Sequence, residues 1–188
     1  SAGPWIPQVD DYSRKPPQRP AGIDTYVVGT NATPFSPTGG LRISARGMGK
    51  VMLMLINEGR HEGVQLLKPA TLAAMFERQW TYDGSNGDTS GGLFKAWGLG
   101  NQHFPDAPGM RLVEDGGFAG VGHLGEAYGL MSVFAFDRAS GHGMVMLAGV
   151  AGSDPDAYKG VYSAMPRFEE QVLTGLWRQA IAGRKRQS

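Results

Sequence analysis

Apolar positions at helical spacing follow residue 40 of the chain. In "ISARGMGKVMLMLINEG", apolar side chains recur every three or four residues, at Met48, Val51, Met52 and Leu55. This spacing places them on one face of a helix. Ser44 stands just before the pattern, where its hydroxyl can accept a free backbone N–H of the first turn. The pattern predicts a helix that begins after Ser44 and ends at the glycine of "NEG".

Two further stretches have the same periodicity. "KPATLAAMFERQW" predicts a helix with Pro69 near its first position, where the missing N–H has no intrahelical partner to lose. "PRFEEQVLTGLWRQAIAG" carries a wide apolar stripe, whose members are Phe168, Val172, Leu173, Leu176, Trp177 and Ile181. Such a stripe predicts a long C-terminal helix that lies across a sheet.

Between these helices the spacing changes to that of β-strands. "AGVGHLGEA", "LMSVFAFD" and "HGMVMLAGV" are separated by "YG" and "RASG", which suit hairpin turns. The second and third runs are apolar at nearly every position, which is typical of central strands covered on both faces. "LFKAWGLGNQHF" predicts one more strand. The predicted fold class is therefore α+β, with an antiparallel sheet of about three to five strands packed against helices.

Residues 1–40 lack regular apolar spacing and are rich in proline and glycine. Prolines fix φ and remove hydrogen-bond donors, so this part is predicted to run as an extended surface segment. We divide the chain into this segment, 1–40, and a folded portion, 41–188. A structureless segment of such length usually carries a function or packs against something else.

The amino-acid composition argues against several classes of function. The chain has 188 residues, of which 41% are hydrophobic and 19% charged, enough to bury one core. A net charge of +1 argues against nucleic-acid binding. Cysteine is absent and no apolar run is long enough to span a membrane. The four histidines, His61, His103, His123 and His142, lack the spacing of metal ligands, so neither a metal nor another cofactor is predicted.

One of these histidines is a candidate active-site residue. His123 lies in "GHLG", at the head of the apolar strands. Two interpretations are open: a histidine that fills an ordinary turn, or an active-site residue presented from the edge of a sheet. The sequence contains no G-x-S-x-G, H-E-x-x-H or P-loop motif. Ser44 has the position of a helix cap and Ser132 lies in mid-strand, so neither is predicted to be a nucleophile.

The ordered series of segments resembles the bacterial serine β-lactamases and penicillin-binding-protein-like hydrolases, in particular their class C and esterase branch. The resemblance rests on "PTGGLRISARGMGKVMLMLINEG", "LLKPATLAAMFE", "WGLG" and the strands around "HLG", from Pro37 to the C-terminus. In that family a K-T-G or H-x-G motif lies on a strand that faces the nucleophile. The resemblance implies a partial β-lactamase-like fold and a serine acyl hydrolase that is esterase- or peptidase-like.

The resemblance also implies roles for the motif. His123 would hydrogen-bond substrate or support proton transfer near neutral pH. Gly125 would let substrate approach the strand backbone, and the backbone N–H of Glu126 would be one half of an oxyanion hole. Leu124 stands where the family has Thr or Ser, which favours an esterase-like substrate over a penicillin. The Glu126 carboxylate is compatible with an oxyanion only if its side chain points away.

Two motifs of the family are absent from this sequence: S-x-x-K, whose lysine activates the serine, and Y-x-N, which assists proton transfer. Both precede the matched region in the family, so the resemblance implies the C-terminal portion of the hydrolase domain, inactive by itself. The expected partners are a small-molecule ester, amide or lactam substrate and the N-terminal half of the same domain. The family's exported enzymes favour a periplasmic or secreted location.

The alternative is a non-catalytic binding or oligomerisation module with the same fold. Loss of the first strands of the sheet would leave an unpaired edge, and such an edge tends to pair with another chain. A self-association partner would then take the place of the missing half.

Overall fold

The computed structural model of the protein describes residues 23–25, 41, 43–127, 130–149 and 159–182. Most of the predicted extended segment, 1–40, lies outside the described residues. Within it only Ile23–Thr25 is described, as a short 3-10 turn. Every other helix and strand of the described residues belongs to the portion 41–188.

Helices flank a block of strands along the described residues. In chain order the elements are α1 (Ala45–Ile56), β1 (Arg60–His61), β2 (Val64–Gln65), α2 (Pro69–Phe76), β3 (Trp80–Thr81), β4 (Ala96–Trp97), β5 (Gln102–Phe104), β6 (Gly120–Ala127), β7 (Leu130–Asp137), β8 (His142–Gly149) and α3 (Arg167–Leu176). The last helix continues as a wider π-type turn over Trp177–Ala182. β1 and β2 form a small hairpin between α1 and α2.

The main sheet has six strands, in the order β3-β4-β5-β6-β7-β8, and every neighbouring pair is antiparallel. The predicted α+β class, the antiparallel sheet and the C-terminal helix are confirmed. The predicted number of three to five strands is too low. β3 has no counterpart among the predicted strands, and "LFKAWGLGNQHF" forms the hairpin of β4 and β5 instead of one strand.

The chain turns between β4 and β5 because residues 98–101 pack against the end of α2. A Cβ on Gly98 would lie 2.6 Å from the carbonyl oxygen of Met75, and Gly100 has a φ of 70°. The side-chain amide of Asn101 donates to the same Met75 carbonyl at 2.5 Å. The apolar pattern does not show these long-range contacts, so it predicts one continuous strand where the structure has a turn.

Side chains of the sheet alternate between two faces, and both are covered. The face toward the last helix, here the α3 face, is packed by buried side chains that include Val133, Ala135, Met144, Met146, Leu173 and Trp177. The opposite face, here the α1 face, packs against α1 and α2, and its buried members are Met52, Leu55, Leu72, Val121 and Phe136. This arrangement confirms that the two most apolar strand runs are central and covered on both sides.

α1 begins at the predicted cap and ends just before the predicted glycine. The Ser44 hydroxyl accepts the backbone N–H of Gly47 at 3.1 Å. At the other end Glu58 has a left-handed φ of 54°, and the N–H of Gly59 donates to the carbonyl of Met54 at 2.9 Å. That bond is characteristic of a Schellman motif, in which Glu58 takes the left-handed C′ position and Gly59 follows with a φ of 83°.

A buried carboxylate joins α3 to the loop before it. Glu170 is fully buried. It accepts the backbone N–H groups of Val161, Tyr162 and Ser163 at 2.8–3.1 Å and pairs with Arg167 at 2.8 Å. Burial opposes its ionisation, but these hydrogen bonds and the Arg167 guanidinium together hold the pKa of Glu170 below its usual range.

Candidate functional site

The candidate site residues lie on β6, between β5 and β7. β6 pairs with β7 over residues 121–127, whereas β5 pairs only with residues 120–122. Residues 123–127 therefore have no strand neighbour on the β5 side among the described residues. We call this segment the open edge of β6. His123, Gly125 and Glu126 all lie in it.

His123 lies within the strand, so the interpretation of an ordinary turn histidine is wrong. Alternation along β6 places its side chain on the α1 face, and the ring is exposed. It meets the ring of Trp97 edge-on, with 5.3 Å between centroids, and Trp97 in turn contacts Phe94 at 5.5 Å. The Nδ1 atom contacts the carbonyl oxygen of Leu124. These contacts orient the imidazole and leave Nε2 as the nitrogen that can meet a substrate.

Gly125 lies directly opposite Ser132 on β7. The Ser132 hydroxyl donates to the carbonyl oxygen of Gly125 at 3.3 Å, and a Cβ on Gly125 would lie 2.5 Å from that hydroxyl oxygen. The absence of a Cβ at Gly125 leaves room for the Ser132 side chain against the strand backbone on the α1 face. Ser132 thus shares a face with His123, but its hydroxyl is used in a bond to the backbone.

Glu126 turns its carboxylate to the other side of the sheet. Alternation places its side chain on the α3 face with Leu124, which packs against the buried cluster there. Its charge acts on Glu169 of α3, a residue only 3% exposed. Burial first, and the Glu126 charge second, raise the pKa of Glu169 to about 7. The Glu126 carboxylate therefore points away from the face that carries His123 and Gly125.

Residues 120–125 also read G-x-G-x-x-G, the pattern of dinucleotide-binding loops. In such loops the glycines shape the turn from a strand into a helix, whose N-terminus meets the phosphates. Here all six residues belong to β6, which pairs with β7. The glycines serve close packing instead, because a Cβ on Gly122 would overlap the carbonyl oxygen of Phe134. The match is therefore not a phosphate cradle.

The four histidines are dispersed through the described residues. His61 lies on β1, His103 on β5 and His142 at the start of β8, where its ring is 6.3 Å from that of Trp177. No group of three or more His, Asp or Glu side chains in the described ranges is arranged to hold a metal ion. No helix in the same ranges is both long and apolar enough to cross a membrane.

Comparison of the chain with protein-family models, with curated proteins and with solved structures found no match. The site is therefore interpreted from its own geometry.

Two residues of the site have no counterpart among the predicted site residues. Trp97 stands in the "WGLG" stretch and contacts the His123 ring, and Ser132 covers Gly125. Both depend on contacts between strands. Sequence patterning marks the strands but not which of their residues lie opposite one another, so neither contact could be read from it.

Proposed function

We propose that this chain is the C-terminal part of a serine acyl hydrolase related to the β-lactamases, esterase- or peptidase-like, that acts through an acyl-enzyme. The S-x-x-K and Y-x-N motifs would lie in residues outside this sequence, and the chain alone would be inactive. His123 would hydrogen-bond substrate or support proton transfer, and the backbone N–H of Glu126 would contribute to the oxyanion hole. The substrate would be a small ester, amide or lactam.

The open edge of β6 is the observation that carries this proposal. An acyl substrate needs backbone donors at the reacting carbonyl, and a strand edge without a neighbour can supply them. The oriented, exposed His123 and Gly125, which has no side chain of its own, both lie on that segment. The Glu126 carboxylate lies on the opposite face, so it does not oppose a developing oxyanion.

A binding or self-association module is the second candidate, and the outer edge of β8 favours it. β8 is the last strand of the sheet and has no strand partner on its outer side among the described residues. Leu130 and Leu147 are 40% and 42% exposed at the same end of the sheet. A long apolar edge of this kind pairs with a further strand when one is present. A second copy of the chain would supply that strand in this case.

Covalent labelling with a fluorophosphonate probe tests the catalytic proposal. We expect the 188-residue chain to remain unlabelled. We expect the natural polypeptide that contains it to be labelled at a serine outside these residues. His123→Ala in that polypeptide should slow labelling about 100-fold, because one acid–base group is lost. His61→Ala, on the β1 hairpin, is the matched control and should leave the rate unchanged.

Three results would count against acyl hydrolysis. They are a labelled serine within these residues, an intact natural polypeptide that takes no label, and equal labelling of His123→Ala and wild type. In the second case, a concentration-dependent dimer in sedimentation equilibrium that is lost with a charged residue at Leu147 would support the association module.

A further inference from the structure

A second cleft, rich in cationic side chains, lies where α2 and the loop that follows it meet the sheet. Its volume is about 350 Å³, within the range of small-molecule sites, which is roughly 300–1,000 Å³. Its charged lining residues are Arg78, Arg138 and Asp137, and His103 is a further polar one. We call it the arginine cleft. It differs from the site on the open edge of β6 in every lining residue.

The two guanidinium groups reach the cleft from different elements. Arg78 follows α2, and Arg138 follows β7. The guanidinium carbon of Arg138 lies 5.2 Å from the centroid of the Phe76 ring, which orients it by a cation–π contact. Within the described ranges neither arginine forms an ion pair. Both cations are thus available to a ligand.

The single acidic group of the lining already has partners. The Asp137 carboxylate accepts the backbone N–H groups of Ala139 and Ser140 at 2.9 and 3.2 Å, within the turn between β7 and β8. Two arginines and one aspartate leave the lining with a net charge of +1. A ligand with one negative charge balances it.

His103 offers an unused polar atom at the same place. Its cross-strand partner is Val121, which also lines the cleft, so the two side chains share a face. The Nε2 atom of His103 is buried and has no hydrogen-bond partner. Burial, together with the Arg78 charge, holds the pKa of His103 below its usual range, so the ring is neutral at pH 7. A neutral ring nitrogen can donate to or accept from a bound ligand.

From these contacts we infer that the arginine cleft binds a small organic acid, with its carboxylate between Arg78 and Arg138 and its apolar part against Phe76, Pro105 and Ala119. Guanidinium groups bind carboxylates in a bidentate, planar geometry. The unpaired His103 nitrogen would meet a polar atom of the ligand. The apolar lining gives preference to an acid with a hydrocarbon or aromatic tail over a bare anion.

The charges also discriminate between a carboxylate and a phosphate monoester. The lining has a net charge of +1, which balances one negative charge but not two. The Asp137 carboxylate also opposes a dianion more than a monoanion. A carboxylate therefore fits better than a phosphate.

The arginine cleft and the proposed acyl-hydrolase site stand independently. Val121 and His123 are the nearest residues of the two sites, two positions apart on β6, about 7 Å along a strand. Binding at the cleft uses none of His123, Gly125 or Glu126. Failure of either proposal leaves the other untouched.

Calorimetric titration of the purified chain at pH 8 tests the inference, with 3-phenylpropionate as the probe. We expect saturable binding with one site per chain. The neutral 3-phenylpropanamide, of the same shape, should bind at least about tenfold more weakly, and so should dianionic phenyl phosphate. Arg78→Gln and Arg138→Gln should each weaken 3-phenylpropionate binding about tenfold. Arg60→Gln, on β1, is the matched control and should change nothing.

A nuclear magnetic resonance titration locates the site without any variant. The ring protons of His103 should shift on addition of 3-phenylpropionate, while those of His61 stay in place. Any one of four results would overturn the inference. The first two are equal affinity for the acid and the amide, and tighter binding of phenyl phosphate than of 3-phenylpropionate. The others are an equal loss of affinity in Arg60→Gln and Arg78→Gln, and no saturation at millimolar probe.

Discussion

The carboxylates of Glu126 on β6 and Glu169 on α3 repel each other across the α3 face of the sheet. Glu169 is 3% exposed, and its pKa is raised to about 7 by burial and, to a smaller extent, by the Glu126 charge. The next residue, Glu170, is also buried but has its pKa lowered by a full set of donors. Two adjacent glutamates of one helix thus have opposite effects on the pH dependence of stability.

Glu169→Gln should stabilise the fold at alkaline pH. An unfolded glutamate loses its proton near pH 4.5, whereas the folded Glu169 keeps it up to about 7. Between these values the folded state binds more protons, so the free energy of unfolding falls as the pH rises. The full cost above pH 7 is about 3 kcal/mol. Urea unfolding at pH 5 and pH 8 should show a much larger gain for the variant at pH 8 than at pH 5.

Glu126→Gln is the companion variant, because it removes the smaller of the two causes. It should recover a minor part of the gain at pH 8 and leave Glu169 titrating above its ordinary value. An equal gain for Glu169→Gln at both pH values would show that its ionisation is not what costs stability.

Glu170→Gln should destabilise the fold at neutral pH. The Glu170 carboxylate accepts from three backbone N–H groups and pairs with Arg167, and the amide cannot accept at all these positions. A buried donor that is left without a full partner costs about 1–3 kcal/mol. Because the folded pKa is lowered, this stabilisation is present above the unfolded value near 4.5 and is lost as the pH falls through the folded pKa. The variant should therefore unfold less steeply in acid, as followed by circular dichroism.

Adjacent positions make Glu169→Gln and Glu170→Gln controls for each other. Both remove one charge from the same helix turn, so any general effect of charge is common to them. Changes of the same sign at pH 8 would contradict the assignment of opposite pKa shifts.

The fold could be predicted from the sequence wherever a local signal coincides with an element. The Ser44 cap, the position of Pro69 at the start of α2 and the three apolar strand runs all match the structure. The turn between β4 and β5 was missed because it depends on the contact of Asn101 with Met75, which are distant in sequence. The electrostatic interaction of Glu126 with Glu169 was missed for the same reason, because patterning gives the face of a strand but not which helix residue lies over it.

Gly122→Ala should be strongly destabilising. A Cβ at this position would overlap the carbonyl oxygen of Phe134 on the paired strand β7, and a backbone atom cannot move aside as a side chain can. Overpacking of this kind costs about 1–3 kcal/mol. Gly149→Ala, on β8, has nothing within 4 Å of its new Cβ and is the matched control. Thermal unfolding should show a large fall in Tm for the first and almost none for the second. Similar Tm values for the two would mean that β6 and β7 are not held at this separation.

Gly125→Ala should separate the stability of the strand from the chemistry proposed for it. Its Cβ would meet the Ser132 hydroxyl oxygen at 2.5 Å, but that hydroxyl is the end of a rotatable side chain and can move away. We therefore expect a loss below about 1 kcal/mol in the free energy of unfolding. In the longer polypeptide that the proposed hydrolase requires, the added methyl group would stand on the face where substrate would meet the strand. A displacement of about 1 Å at a reacting centre costs about 100-fold in rate. Fluorophosphonate labelling should slow by that factor.

Adding Ser132→Ala removes the clash, so the double variant should regain the wild-type free energy of unfolding but not the labelling rate. Recovery of both together would mean that Gly125 matters only for packing against Ser132 and that substrate does not approach β6 at this residue.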